Sequence, residues 1–460
     1  MPSALLLMVV FAFSIGFATF IENDYGTPSA RALIFNSWWL ELILVFLCAI
    51  FLYNIFAYKL YYLRKLPVLL LHLSFIFIMI GAGITRYISE EGVMRIREGN
   101  LGNQFISSNL FLEFKIHNSV EQYAGAKELL LSSISNNAFV IPVEFNNQKV
   151  RISYDDFIHD PIDDIALNDL QDGEEIIELI IPSPNGGMKS EYLKKYSKKI
   201  MQDITVGFES GRDSDFNIFF DNNSLDMPDS VFYFISKHDI EFMRMSDQDR
   251  GVLVRNKKHK FNTKVLYTVQ DKNFVFKNNF THAKIIQKSE GLKNDPLKLD
   301  LLKIKLSVSE QDTVINLYGG EGKVSSKDYF LFNNLFFSLS YGPRIHTLPF
   351  ALFLKDFQLE RYPGSESPSS FASEIQVVDG EAKFDYRIFM NNVLNYKGYK
   401  FFQSSYDTDE KGTILSVNRD KWGTGVTYFG YSCLLFSVLS VMISKFSRIN
   451  IINKKLNNNI

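Results

Sequence analysis

The chain is short of cysteine. It has two among 460 residues, Cys48 and Cys433, and both lie in long apolar stretches. The large polar region at residues 86–422 has none, so it cannot contain a disulfide. The absence of a CxxC pair excludes a dithiol reductant, and the absence of CxxCH excludes a c-type cytochrome. Tryptophan is also scarce. Trp38, Trp39 and Trp422 are the full set and form no tryptophan-rich cluster. No EF-hand spacing occurs, and none of the seven histidines stands at metal-ligand spacing from another. Charge is nearly balanced at −2, and no nucleic-acid partner is expected.

Long apolar runs are present. Residues 2–21, 42–58, 66–85 and 423–444 are uncharged over about the length of a membrane span, the second extending outward to Trp38. The loop at 59–65 carries Lys59, Arg64 and Lys65 and no acid. The tail at 445–460 carries Lys445, Arg448, Lys454 and Lys455 and no acid, whereas the loop at 22–37 holds Glu22, Asp24 and a single Arg31. Basic residues mark the cytoplasmic side. The expected order is a span at 1–21, an outer loop at 22–37, a span at 38–58, a basic cytoplasmic loop at 59–65, a span at 66–85, an extracytoplasmic domain at 86–422, a span at 423–444 and a basic cytoplasmic tail. Trp38 and Trp39 fit an outer aromatic belt. The N-terminal run lacks a basic start and a small-x-small cleavage site, so it reads as a retained helix.

The polar region alternates. Leu302, Ile304, Leu306 and Val308 interleave with polar residues; so do Leu335, Phe337, Leu339 and Tyr341, and Val265, Tyr267 and Val269. Such period-2 rows predict antiparallel strands packed as a sandwich or as paired sheets. The expected class is an α+β membrane protein: four transmembrane helices with a large, mainly β, sandwich-like extracytoplasmic domain between the third and fourth. Short helices are expected at 123–134 and 191–201, and a loop at 182–187. Residues 155–178 hold ten acids, which read as a solvated face.

His72 stands inside the third apolar run, about 9 Å from its cytoplasmic end at ~1.5 Å per residue. An intramembrane imidazole is costly unless partnered and is a natural metal or haem ligand. It is the sole histidine in the four runs. A second histidine ligand must therefore come from elsewhere. The bland alternative is a histidine that hydrogen-bonds and packs. Gly81 and Gly83, on the same run, permit close helix approach. Glu22, Asp24 and Arg31 read as helix-end caps or as a mutually paired set. Arg344 and Arg361 are weaker candidates for contact with carboxylate groups, and residues 403–413 for docking the outer domain against the fourth span.

Three segments carry more than composition: FIENDYGTPSARALIFNSWWLEL at 20–42, LPFALFLKDFQLERYPGSESPSSFASE at 348–374, and YKFFQSSYDTDEKGTILSVNRDKWGTGVTYFGY at 399–431. With them the chain resembles the ResB (CcsB) family of cytochrome c biogenesis proteins, particularly forms from Bacteroidetes-type bacteria. The resemblance implies a non-catalytic or co-catalytic subunit of a system II cytochrome c synthetase complex in the bacterial inner membrane, with the large domain in the periplasm. Its partners would be a CcsA-like multispan protein, apocytochrome c, haem and, indirectly, thiol-reducing proteins. Haem b would be a transported substrate. In fused relatives a third-span histidine is an intramembrane axial haem ligand, and His72 matches it; the second ligand lies in the CcsA half. That half's tryptophan-rich segment is missing here, which implies a separate partner chain. The alternative is a membrane-anchored sensor or ligand-binding protein with no haem role.

Overall fold

The computed structural model of the chain describes residues 2–118, 120–167, 173–183, 186–211, 213–220, 232–291 and 298–443. The expected basic tail at 445–460, Pro184 and Asn185 of the expected loop, and Asp169 and Asp172 of the acidic stretch lie outside the described residues.

Four long helices span Pro2–Tyr25, Trp38–Ala57, Leu66–Ile88 and Lys421–Ile443. Each is long and apolar enough to cross a membrane. Their outward faces are hydrocarbon: Phe13, Phe20, Phe46, Phe56, Ile80 and Phe436 are all exposed. Apolar side chains exposed on this scale suggest a membrane protein, because in water they would drive aggregation. Gly26, at φ 82°, breaks the first helix, and two short helical turns, Thr27–Ala30 and Arg31–Phe35, lead to the second. Ser37 caps the second helix through the Leu40 N–H.

The third and fourth helices pack backbone to backbone. A Cβ on Gly81 would lie 2.1 Å from Thr427 Oγ1, and one on Gly423 would lie 2.3 Å from Thr85 Oγ1. Small residues allow this approach, and polar groups then tie the helices. Thr85 donates to Asp420 at 2.6 Å and Ser437 donates to the Pro67 carbonyl at 2.8 Å. Asp420 also accepts the Gly423 N–H at 2.9 Å, capping the fourth helix. Gly83 does not share this role, since a Cβ there meets nothing within 4 Å.

The chain divides into two compact units, Met1–Asp160 with Gly291–Ile460, and Pro161–Glu290. In the first unit a ten-stranded sheet packs on a four-stranded sheet. The shared core holds Leu112, Phe114, Val143, Ile152, Ile304 and Leu339. Along Asp300–Val308 the inward residues Leu302, Ile304, Leu306 and Val308 are wholly buried, as their alternation predicts. The ten-stranded sheet also curls around a second core, which gathers Phe105, Leu352, Val377 and Phe401 from its inner and outer strands. In the second unit a five-stranded and a seven-stranded sheet enclose an aromatic core around Phe216, Phe234, Phe261 and Tyr267.

Two expected helices are strands. Residues Gln122–Leu129 pair residue by residue with His117 back to Leu110. Residues Met188–Lys194 and Ser197–Met201 are separate strands, with Tyr196 in the turn at φ 61°. Leu193 is buried whereas Tyr196 and Ile200 are each 73% exposed, so their three- and four-residue spacing does not mark one apolar face.

The helix seam generates a paired prediction. Gly81→Leu forces the third and fourth helices apart and should cost about 1–3 kcal/mol. Gly83→Leu should leave stability nearly unchanged. Thermal unfolding of the two variants in detergent checks this; equal losses would mean that the seam is not what holds the pair.

Candidate functional site

The third helix opens with Pro67 in its first turn, where a missing N–H is harmless, and brings His72 two turns in. His72 is 9% exposed. Its Nδ1 lies 2.9 Å from the carbonyl oxygen of Val68, one turn back. A carbonyl only accepts, so Nδ1 carries a hydrogen; in a neutral ring Nε2 then keeps the lone pair. The ring meets the edge of Phe51 of the second helix at 5.6 Å, and Phe51 in turn stacks on Phe75 at 5.5 Å. Around this lie Leu47, Ile55 and Ile76. The result is an imidazole in an apolar seam with Nδ1 engaged, which in its neutral form leaves the second nitrogen suited to a metal ion.

The two ends of the bundle differ. At one end Arg86 pairs with Glu41 at 2.7 Å, Tyr87 donates to Glu41 at 2.6 Å, and Arg86 donates to the Phe35 carbonyl at 3.1 Å. Trp38 and Trp422 are exposed here, next to the strand region. At the other end are Lys59, Arg64 and Lys65, with Lys65 donating to the Tyr58 carbonyl at 2.7 Å. His72 lies nearer this basic end.

Above the polar end a groove of about 850 Å³ opens between residues 27–31 and the ten-stranded sheet. Val93, Leu101, Ile106 and Ile345 give it apolar walls, and Arg31, Arg95 and Glu321 charge it. Arg31 donates to the Asn109 amide oxygen at 3.2 Å. Glu22 instead accepts from Thr27 at 2.8 Å, and Asp24 accepts from Asn23 at 3.0 Å. Neither acid pairs with Arg31, and both sit at the C-terminal end of the first helix, where a carboxylate is not a cap.

Other candidates are engaged elsewhere. Arg344 pairs with Glu113 at 2.7 Å and lies over the Phe111 ring, and Arg361 pairs with Glu410 and Glu366. Asp407 and Asp409, within the segment expected to dock on the fourth span, pair with Arg95 and Arg97 of the sheet. The acids at 155–178 mostly meet lysines of neighbouring strands, as in Asp156–Lys303, Glu174–Lys194 and Glu178–Lys277. His117 and His346 stack on Phe336 and Phe105. His159 is the exception, drawn into a buried cluster with Asp160 and Asp300. Asp300 lies 141 residues further along the chain, so no local spacing revealed the cluster.

Residues 315–433 match the model of the ResB-like family, a stretch that contains two of the three motif segments. The chain is 29% identical over 449 residues to Protein NrfI of Wolinella succinogenes. That alignment takes in 97% of this chain and 35% of NrfI, so the chain spans about a third of the length of the curated relative it matches. The likeness to the ResB family read from the motifs stands. Among solved structures, a crystal structure of MucB in complex with MucA(peri) is 10% identical over 56% of this chain and 92% of that one; its TM-score of 0.09 carries no argument about fold.

Glu321 yields a pH prediction. Partial desolvation of this exposed side chain raises its pKa, with Arg31 opposing the rise and Asp300 adding to it. An acid whose folded pKa is raised destabilises the fold as pH climbs through its ordinary value, near 4.5, toward the raised one. Glu321→Gln should therefore raise the unfolding midpoint at neutral pH, and the gain should vanish below about pH 4. Melting curves across pH check this; a gain independent of pH would mean that ionisation of Glu321 is not the cause.

Proposed function

We propose that this ResB-like chain is the membrane subunit of a system II cytochrome c maturation complex. It helps haem across the membrane and, with a CcsA-like partner, presents it for covalent attachment to apocytochrome c. The carrying observation is His72: a buried imidazole whose Nδ1 is held by Val68 and whose Nε2 lone pair lies within an apolar bundle. Haem iron takes two axial ligands, and neutral imidazole suits a low-spin carrier state. This chain supplies one ligand and its orientation, Phe51 and Phe75 supply apolar walls, and the partner supplies the second ligand.

The topology follows from charge. The basic end of the bundle faces the cytoplasm of the bacterial inner membrane, and the end bearing Trp38, Trp422 and the strands faces the periplasm. His72 then lies in the inner half of the bilayer, on the side from which cytoplasmic haem arrives. The groove beside Arg31 agrees with this direction of travel, since apolar walls and guanidinium groups suit a macrocycle bearing carboxylates. The chain's part in attachment is to position haem, with thioether formation resting on the partner. An anchored sensor would need one span and leaves His72 without a role.

The test is co-expression with the tryptophan-rich multispan partner, purification in detergent, and haem spectra. His72→Ala should lower haem per complex by roughly tenfold or more, since even outer contacts to a ligand histidine are worth ~10-fold in affinity. Added imidazole should restore the Soret and α bands. Equal haem in wild type and variant would make His72 a packing residue and remove the main support for this reading.

A further inference from the structure

The helix Trp38–Ala57 buries Leu40, Leu47, Phe51, Asn54 and Ile55. Four of these are apolar. Asn54 carries an amide, yet it is only 4% exposed. Its backbone carbonyl accepts the Tyr58 N–H at 3.0 Å, which closes the helix. Its side-chain amide makes no hydrogen bond among the described residues.

The other polar side chains buried in the helical segments are all engaged. Ser29, Ser37, Ser74 and Ser437 each donate to a backbone carbonyl. His72 Nδ1 meets the Val68 carbonyl, and Asp420 accepts from Thr85. An amide offers two N–H donors and one acceptor. Left unanswered among apolar side chains it is costly, and buried polar groups without partners are rare. Within a membrane span such a group is a candidate for function.

The position of Asn54 says what could answer it. Phe51 and Asn54 are three residues apart and both buried, so they share one face of the helix. Phe51 meets the His72 ring edge-on at 5.6 Å. Asn54 stands about 4.5 Å further along the axis, at ~1.5 Å per residue, toward the basic end. Lys59, Arg64 and Lys65 lie at that end, and residues 57–66 include no acid. A hydrogen-bond acceptor of negative charge is therefore favoured on this side of His72. Haem is apolar except at its carboxylates. An amide can donate to a carboxylate, yet in the empty bundle it costs far less than a lysine or arginine would.

We infer that Asn54 donates a hydrogen bond to a haem carboxylate when the iron is held on His72. The contact turns the polar edge of the macrocycle toward the basic end of the bundle. This inference rests on the haem reading proposed above. It adds a specificity-determining residue that reads the carboxylates of the cargo, where His72 reads the iron.

The experiment uses the complex with the multispan partner, purified from haem-starved cells. It is titrated in detergent with haem and with haem dimethyl ester, whose carboxylates are blocked. Asn54→Leu should weaken haem binding roughly tenfold, the worth of one hydrogen bond to a charged group, and leave ester binding within about twofold of wild type. His72→Ala should weaken both, because both ligands carry iron. The haem-free Asn54→Leu chain should unfold no earlier than wild type, since an apolar side chain of similar size replaces an unanswered amide. Earlier unfolding would show the amide answered within the bundle. Loss of the partner during purification would show it answered by a partner helix. Unchanged haem affinity, or equal losses of haem and ester, would leave it no part in reading carboxylates. Each of these results overturns the inference, and the haem reading still stands if His72→Ala loses both ligands. Full binding by His72→Ala removes the two together.

Discussion

In an apolar bundle, a polar group without a partner is the most expensive thing the chain can carry. Asn54 apart, the polar groups buried in these helices are accordingly tied. His72 spends its N–H on Val68, Ser74 donates to the Leu71 carbonyl, Ser437 to Pro67, and Thr85 to Asp420. These ties separate two kinds of helix contact. The third and fourth helices meet through glycine and hydroxyls at close range, with little room to slide. The second and third meet through Phe51, Phe75, Leu47 and Ile76, a seam of side chains that can repack. The imidazole lies on the second kind. The proposed haem role would suit this seam, since walls made of rotamers accommodate a large flat ligand more readily than walls made of backbone.

The strand region rests on burial in two layers, with charge kept at the rims. Cross-strand lysine–carboxylate pairs cover the wet faces and contribute little each. The buried acids are different. Asp407 is held by Arg95 and Arg97, and Asp420 by the start of the fourth helix. Both lie near the bundle end of the chain, where the 399–431 motif segment runs. The motif thus records the joining of sheet and helix as much as any chemistry.

The helices were legible because about twenty uncharged residues in a row suit a bilayer-spanning helix and little else. The main strands were legible because strict alternation suits only a pleated backbone with one buried face. The misread segments show where local pattern fails. At 191–201 the spacing of Leu193, Tyr196 and Ile200 imitates a helix, yet a left-handed turn residue resets the register between two strands. Gly81 and Gly83 looked equivalent, but two residues turn a helix by about 200° and only one of them can face a given neighbour. His72 was legible from its surroundings alone; the direction of its hydrogen bond was not. The cluster of His159 with Asp300 was out of reach, since it depends on which strand ends meet after folding. The acidic run around Asp160 hid the members that turn inward, Asp160 and Glu178.

The Thr85–Asp420 contact joins residues 335 positions apart. Synthesis at ~5–20 residues per second would leave the glycine face of the third helix waiting for its partner for roughly twenty seconds to a minute. During that interval the strand region is made and the bundle is three helices with an open flank. Completion of the bundle is therefore gated by the ribosome, and any chaperone or partner subunit that shields the Ser74–Gly81–Thr85 face has that window in which to act.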